Sequence, residues 1–158
     1  MKRWVLVIVI ATALAAVAVI AGLTQVRLDA IHEPGHLETV FATQAKHLLI
    51  GWRSRKGIPA APGNLQASIE EGDKLYATDC TMCHGSDGHS PTDNGRWMYP
   101  RASDLTSREV QDYSDRELFW IVKNGIRLSG MPAFGKVESD EHIWNLVNYV
   151  RTLRASRP

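Results

Sequence analysis

The chain has 158 residues, 18 Lys/Arg against 17 Asp/Glu for a net charge of +1, and only two cysteines. That length holds about one domain plus appendages, the charge gives no reason to invoke nucleic acid as a partner, and two cysteines leave no second pair for a zinc site. The charge is unevenly spread: residues 65–158 carry 11 Lys/Arg against 14 Asp/Glu, and residues 1–64 carry 7 against 3.

From Trp4 to Val26 there are 23 uncharged residues, interrupted only by Thr12, Thr24 and Gln25. A run of that length crosses a bilayer as a helix, so residues 4–26 are expected to meet the lipid bilayer and residues 1–28 to form a transmembrane anchor. Lys2 and Arg3 precede the run, and the positive-inside rule then keeps the short N-terminus in the cytoplasm and sends the rest across. The expected location is the inner (cytoplasmic) membrane, single pass, with the remainder in the periplasm. Ala13-Leu14-Ala15 and Ala16-Val17-Ala18 resemble signal-peptide cleavage sites, but the apolar run exceeds the usual signal-peptide core.

Residues 29–66 read as a periplasmic connector. His32-Glu33-Pro34-Gly35-His36 formally matches the zinc-protease pattern H-E-x-x-H, which requires both histidines on one face of a continuous helix; Pro-Gly between them argues against that helix. Pro34 better begins the next helix, about 35–53, where Leu37, Val40, Phe41, Ala45, Leu48, Leu49 and Trp52 recur at helical spacing as one apolar stripe. His36 and His47 border it. Arg53, Arg55 and Lys56 suit the negative end of the helix dipole, and Gly57 and Pro59 stop the helix. The stripe has two readings: a docking surface for the membrane or a partner subunit, or packing against the chain's own downstream domain. Residues 57–66, with two prolines and two glycines, read as a linker.

In the last segment, 67–158, three capping-box patterns announce helices: Ser68 with Glu71, Thr106 with Glu109 and Ser114 with Glu117. Helices are expected over about 69–79, 107–112, 115–124 (closed by Asn124-Gly125) and 140–155, where Ile143, Leu146, Val147, Val150 and Leu153 share a face. No period-2 strand appears, so the fold class is all-α.

Both cysteines lie in Cys80-Thr81-Met82-Cys83-His84, the C-x-x-C-H spacing for covalent attachment of a c-type haem. Two thiols three positions apart each add to one vinyl group of a single macrocycle, and the adjacent imidazole lies under the iron. His84 is thus the expected proximal ligand. One motif implies one haem c, which would supply much of the core that about 90 residues cannot build alone. Thiol-redox and zinc readings lack a βαβ pattern and further ligands. A sixth iron ligand is still needed: Met82 sits between the cysteines and cannot reach back, which leaves Met98 and Met131, with His89 and His142 as weaker alternatives. Met131 lies in Ser129-Gly130-Met131-Pro132, where Gly and Pro fix a backbone path able to aim a side chain inward.

The region Ile69–Leu153 resembles class I c-type cytochromes. The matching residues are Gly72 and Tyr76 before CTMCHG, Asp104-Leu105-Thr106, Leu118-Phe119-Trp120-Ile121 with Asn124-Gly125, Gly130-Met131-Pro132-Ala133-Phe134, and Trp144 to Tyr149. The resemblance implies a class I cytochrome c domain, His84/Met131 ligation and electron transfer through an exposed haem edge. It also implies that the first and last helices cross where Gly72 and Tyr76 meet Leu146 and Tyr149, and that Pro100 supplies a carbonyl to the free N–H of His84, fixing the imidazole. Arg96, Trp97, Tyr99 and Arg101 are candidates for the haem propionates. The expected role is therefore that of an electron carrier rather than an enzyme: a membrane-tethered monohaem cytochrome passing single electrons between redox partner proteins of a respiratory chain. A fixed subunit of a membrane oxidase or reductase complex is the alternative, and a haem enzyme or gas sensor would need an open axial position.

Overall fold

The computed structural model describes residues 2–24, 31–89 and 91–154. The chain divides into two compact units, residues 1–33 and 34–158. The described residues form α-helices, with one 3₁₀ turn and no strand.

The first unit carries α1, Lys2–Leu23, with no buried residue. At 1.5 Å per residue it is about 33 Å long, enough to cross a hydrocarbon core, and its composition also meets that requirement. Gln25 and Val26, the last residues of the predicted span, lie outside the described residues.

The second unit contains α2 (His36–Arg53), α3 (Leu65–Asp79), α4 (Thr81–His84), α5 (Asp93–Trp97), α6 (Arg108–Gln111), α7 (Asp115–Asn124), a 3₁₀ turn (Phe134–Lys136) and α8 (Asp140–Leu153). Its framework is the crossing of α3 and α8. A Cβ at Gly72 would run into the Asn145 carbonyl oxygen and come within 2.8 Å of Tyr149 Cβ, so only glycine lets the helices approach this closely. One turn on, Tyr76 and Tyr149 pack with ring centroids 5.1 Å apart. Ser68 adds a polar clamp, its hydroxyl donating to Asn145 Oδ1 (2.5 Å) and accepting from Asn148 Nδ2 (2.8 Å). Around the crossing, Phe119, Ile143, Leu146 and Val147 are almost wholly buried, and Phe119 packs on Trp144 at 4.8 Å between centroids.

Two expected helix starts move. The first helix begins at Leu65, capped by Asn64, whose side chain accepts from the Ala67 N–H; Ser68 is buried in its interior, where its hydroxyl has interhelix partners. The cap of α6 is Ser107, because the Thr106 hydroxyl and N–H both donate to Asp104 Oδ1 at 2.7 Å. The Ser114–Glu117 capping box of α7 is present in full.

Helix α2 starts at His36, so His32 is not on it and the H-E-x-x-H pair does not share a helix face. It is fastened to the rest of its unit along its length. The Tyr99 hydroxyl donates to Glu38 (3.0 Å), Lys46 pairs with Glu109 (3.2 Å), and His47 stacks on Tyr113 at 4.4 Å. Ile50 is 3% exposed in the core, and Arg116 donates to the Ser54 and Arg55 carbonyls at 3.1 Å each. The linker is tied too, its Pro59 carbonyl accepting from Trp144 Nε1 at 3.2 Å. Ile50→Val is expected to cost about 1 kcal/mol in denaturant unfolding of the whole protein, and no change in midpoint would mean that α2 does not unfold with the unit.

Candidate functional site

The site is built where α3 ends. Its last turn passes through Cys80, whose N–H donates to the Tyr76 carbonyl (3.0 Å), directly into the single turn α4. The His84 N–H returns to the Cys80 carbonyl at 2.9 Å, so Cys80, Cys83 and His84 occupy one helical turn. Gly85, at φ 75°, ends that turn, and its carbonyl accepts from the buried Tyr76 hydroxyl at 2.8 Å. The motif is thereby bolted to the α3–α8 crossing.

A second layer closes over it. The Thr92 N–H donates to the Cys83 carbonyl at 3.1 Å. Gly95 of α5 lies so close to that same carbonyl that a Cβ would collide with it. Ala102 N–H to Gly95 O (2.9 Å) and Leu105 N–H to Gly88 O (2.7 Å) then pin residues 102–105 beside the motif. This brings the Ser103 carbonyl to His84 Nδ1 at 2.9 Å. A carbonyl only accepts, so Nδ1 carries the proton and Nε2 presents its lone pair.

The expected acceptor for His84 was Pro100; the structure puts Ser103 there instead. Pro100 is exposed, and the two hydrogen bonds flanking Ser103 select the residue three positions later. Burial lowers the His84 pKa, against the smaller upward pull of the Ser103 bond, which keeps the imidazole neutral for ligation. Cys80 and Cys83 are not joined in a disulfide. Burial first, then the Asp79 and Cys83 charges, pushes the Cys80 thiol up to about 12. This is opposite to the depressed value of a redox-active C-x-x-C pair.

Met131 lies in the loop between α7 and α8. Its N–H donates to Ser129 Oγ (3.2 Å), its carbonyl accepts from the Ile126 N–H (3.4 Å), and Ser129 Oγ donates to the Ile126 carbonyl (2.7 Å). Gly125, at φ 66°, lets the Met131 and Pro132 backbone pack directly on the end of α7, since a Cβ there would fall within 2.8 Å of both carbonyl oxygens. Met131 is half-buried against the core. Met98 belongs to the same neighbourhood: a Cβ on Gly130 would meet its sulfur and come within 2.9 Å of its Cγ. The histidine alternatives are engaged with carboxylates, His89 with Asp104 (3.2 Å) and His142 with Glu138 (2.7 Å). Of the propionate candidates, Arg96 pairs with Asp93 at 2.8 Å, Tyr99 donates to Glu38, and Trp97 is exposed.

The side chains expected as ligands, His84 and Met131, fit one kind of group. No cluster of three or more His, Cys, Asp or Glu able to hold a metal ion occurs among the described residues. One imidazole and one thioether are too few to retain a bare ion. They suit iron that arrives with its four equatorial ligands already in a macrocycle, with two neighbouring thiols to hold that macrocycle. Sequence reading did not single out Ser103 or Gly95; neither a backbone acceptor nor a close backbone approach leaves a composition signal.

Residues 67–150 match the family described as cytochrome C oxidase, cbb3-type, subunit III. Among solved structures, the chain is similar to "KustC0563 c-type cytochrome", with 32% identity and a TM-score of 0.47, over 52% of this chain and 96% of that one. It is also similar to a chain of the "Kuenenia stuttgartiensis reducing HAO-like protein complex Kustc0457/Kustc0458", with 23% identity and a TM-score of 0.51 over 65% of this chain. The match spans 53% of that second chain, so it speaks to fold alone.

Proposed function

The chain belongs to the cytochrome c oxidase, cbb3-type, subunit III family and is a c-type cytochrome, and from that premise we propose that it is a membrane-tethered, single-haem electron carrier working between respiratory complexes. Cys80 and Cys83 would hold one haem c, and His84, through Nε2, and Met131 would ligate its iron. When bound, the haem would supply a one-electron iron couple, and thioether together with imidazole ligation would favour the reduced state. The chain's own residues hold the axial groups still. The His84 ring is fixed by Ser103, and the backbone of Met131 is fixed by Ser129, Ile126 and Gly125. Small changes in geometry between oxidation states are what an electron carrier requires. A haem enzyme or gas sensor instead needs an axial position that opens.

The single observation that carries this reading is the His84 Nδ1 contact to the Ser103 carbonyl, which commits the motif's imidazole to one tautomer with Nε2 available. Helix α1 supports the tether: it would keep the haem domain in the periplasm, within reach of partners in the same inner membrane, raising their effective concentration. The family's description as an oxidase subunit favours a second reading, in which the chain is a fixed subunit of such a complex.

Two measurements on the purified full chain test these readings. Haem staining should follow the denatured polypeptide in a 1:1 ratio; a chain that loses all haem on denaturation defeats covalent attachment. After mild-detergent extraction the shuttle should run free of larger assemblies, whereas stoichiometric recovery with an oxidase or reductase replaces the shuttle by the fixed subunit.

A further inference from the structure

Helix α2 has two faces, and only one packs on the rest of its unit among the described residues. Thr43, Lys46, His47, Ile50 and Ser54 recur every three or four residues on the side turned to the unit. At about 100° per residue, Leu37, Phe41, Leu48 and Trp52 fall on nearly the opposite side. Those four are 71%, 72%, 74% and 61% exposed, against 3% for Ile50. The apolar stripe visible in the sequence is thus the outward face. Isolated exposed apolar residues are ordinary, but four large ones in one continuous row mark a surface made for contact.

We infer that this face of α2 lies in the surface of a lipid bilayer, seating the haem unit on the membrane. The inference rests on the reading of α1 as the membrane span. Only residues 24–35 separate Leu23 from His36. Fully extended they reach at most about 45 Å, so α2 is confined to the neighbourhood of the surface from which α1 emerges. The charges fit as well. Arg53, Arg55 and Lys56 cluster at the C-terminal end, with the Arg53 guanidinium 5.2 Å from the Trp52 ring centre. Cations beside an indole suit anionic headgroups and the interfacial belt. The one acidic residue of α2, Glu38, accepts from Tyr99. An apolar row of Leu, Phe and Trp beside basic residues is the pattern of a helix lying in the interface plane.

The test uses the full haem-loaded chain in lipid nanodiscs containing phosphatidylglycerol, with a nitroxide on a single added cysteine; Cys80 and Cys83, held in thioether bonds, do not take the label. Leu48→Cys on the outward face should show high oxygen access and little access to a water-soluble nickel chelate. Gln66→Cys, exposed on α3, should read as aqueous. An unchanged haem spectrum shows that each labelled protein is folded. A Leu48 label as accessible to nickel as the Gln66 label overturns the inference. So does one shielded from both reagents, which would assign the face to a protein partner or a second copy. Val9→Cys in α1 reports the span separately: if it reads bilayer depth while Leu48 reads water, the tether stands and the seating of α2 fails. If Val9 itself reads water, it is the tether that fails.

Discussion

Gly72→Ala is expected to lower the stability of the holoprotein by about 2–3 kcal/mol, although alanine is the better helix former by about 1 kcal/mol. The two effects oppose each other, and distance decides between them. The added methyl would overlap the Asn145 carbonyl oxygen and lie 2.7 Å from its carbon and 2.8 Å from Tyr149 Cβ. Two of those three obstacles are backbone atoms, so no rotamer change relieves them; α3 and α8 must separate. Separation loosens the Tyr76–Tyr149 contact and the Ser68–Asn145 bond together. It also draws the Tyr76 hydroxyl off the Gly85 carbonyl, which connects the crossing to the haem motif. Denaturant unfolding read by both helicity and haem absorbance checks this. Gly51→Ala is the control, because its new methyl would meet only Glu117 Oε1 at 3.1 Å, a contact that a slight shift relieves while Oε2 keeps its capping bonds to Ser114. If Gly72→Ala is as stable as the control, the crossing tolerates a wider spacing and glycine is not required there.

Much of this arrangement is legible in the residues, and the failures have identifiable causes. The Ser114–Glu117 box marks a helix start correctly because Ser114 is exposed and Glu117 is only half-buried, and the two bind each other's end of the helix. Ser68 with Glu71 shows the same spacing, yet Ser68 is buried among Asn145 and Asn148, partners about 80 positions away in the chain. Local spacing carries no record of such partners. Thr106 misleads for a nearer reason, since Asp104 takes its hydroxyl first. Helices α4 and α5, of four and five residues, are too short to display a period. The crossing at Gly72 is recoverable from family resemblance alone; the displacement of the His84 acceptor from Pro100 to Ser103 is not, because any residue's carbonyl serves equally.

Helix α2 gives the opposite lesson. Its apolar stripe is the conspicuous signal, and ordinary reasoning turns such a stripe inward. The face that packs is instead the one bearing Lys46 and His47, held by an ion pair, a ring stack and one buried isoleucine. Hydrophobicity located a contact face but not which contact.

Met131→Ala is expected to abolish the Met–iron absorption band and lower the midpoint potential on the order of 0.1–0.2 V, within the roughly 0.8 V that axial ligation spans. The reduced variant should bind carbon monoxide readily, which the native protein should not. Backbone constraint is the support for proposing Met131 rather than Met98. The N–H and carbonyl of Met131 are both bonded within its own loop, and that loop rests on Gly125 at the end of α7. Its side chain therefore leaves a fixed origin. Met98 follows the short helix α5, and its thioether lies against Gly130 of the same loop. Met98→Ala should accordingly keep the band and lose only packing, about 2–3 kcal/mol for a truncated methionine. If the band instead survives Met131→Ala and disappears in Met98→Ala, the two sulfurs exchange roles: Met98 is the ligand, and the 125–132 loop is its brace.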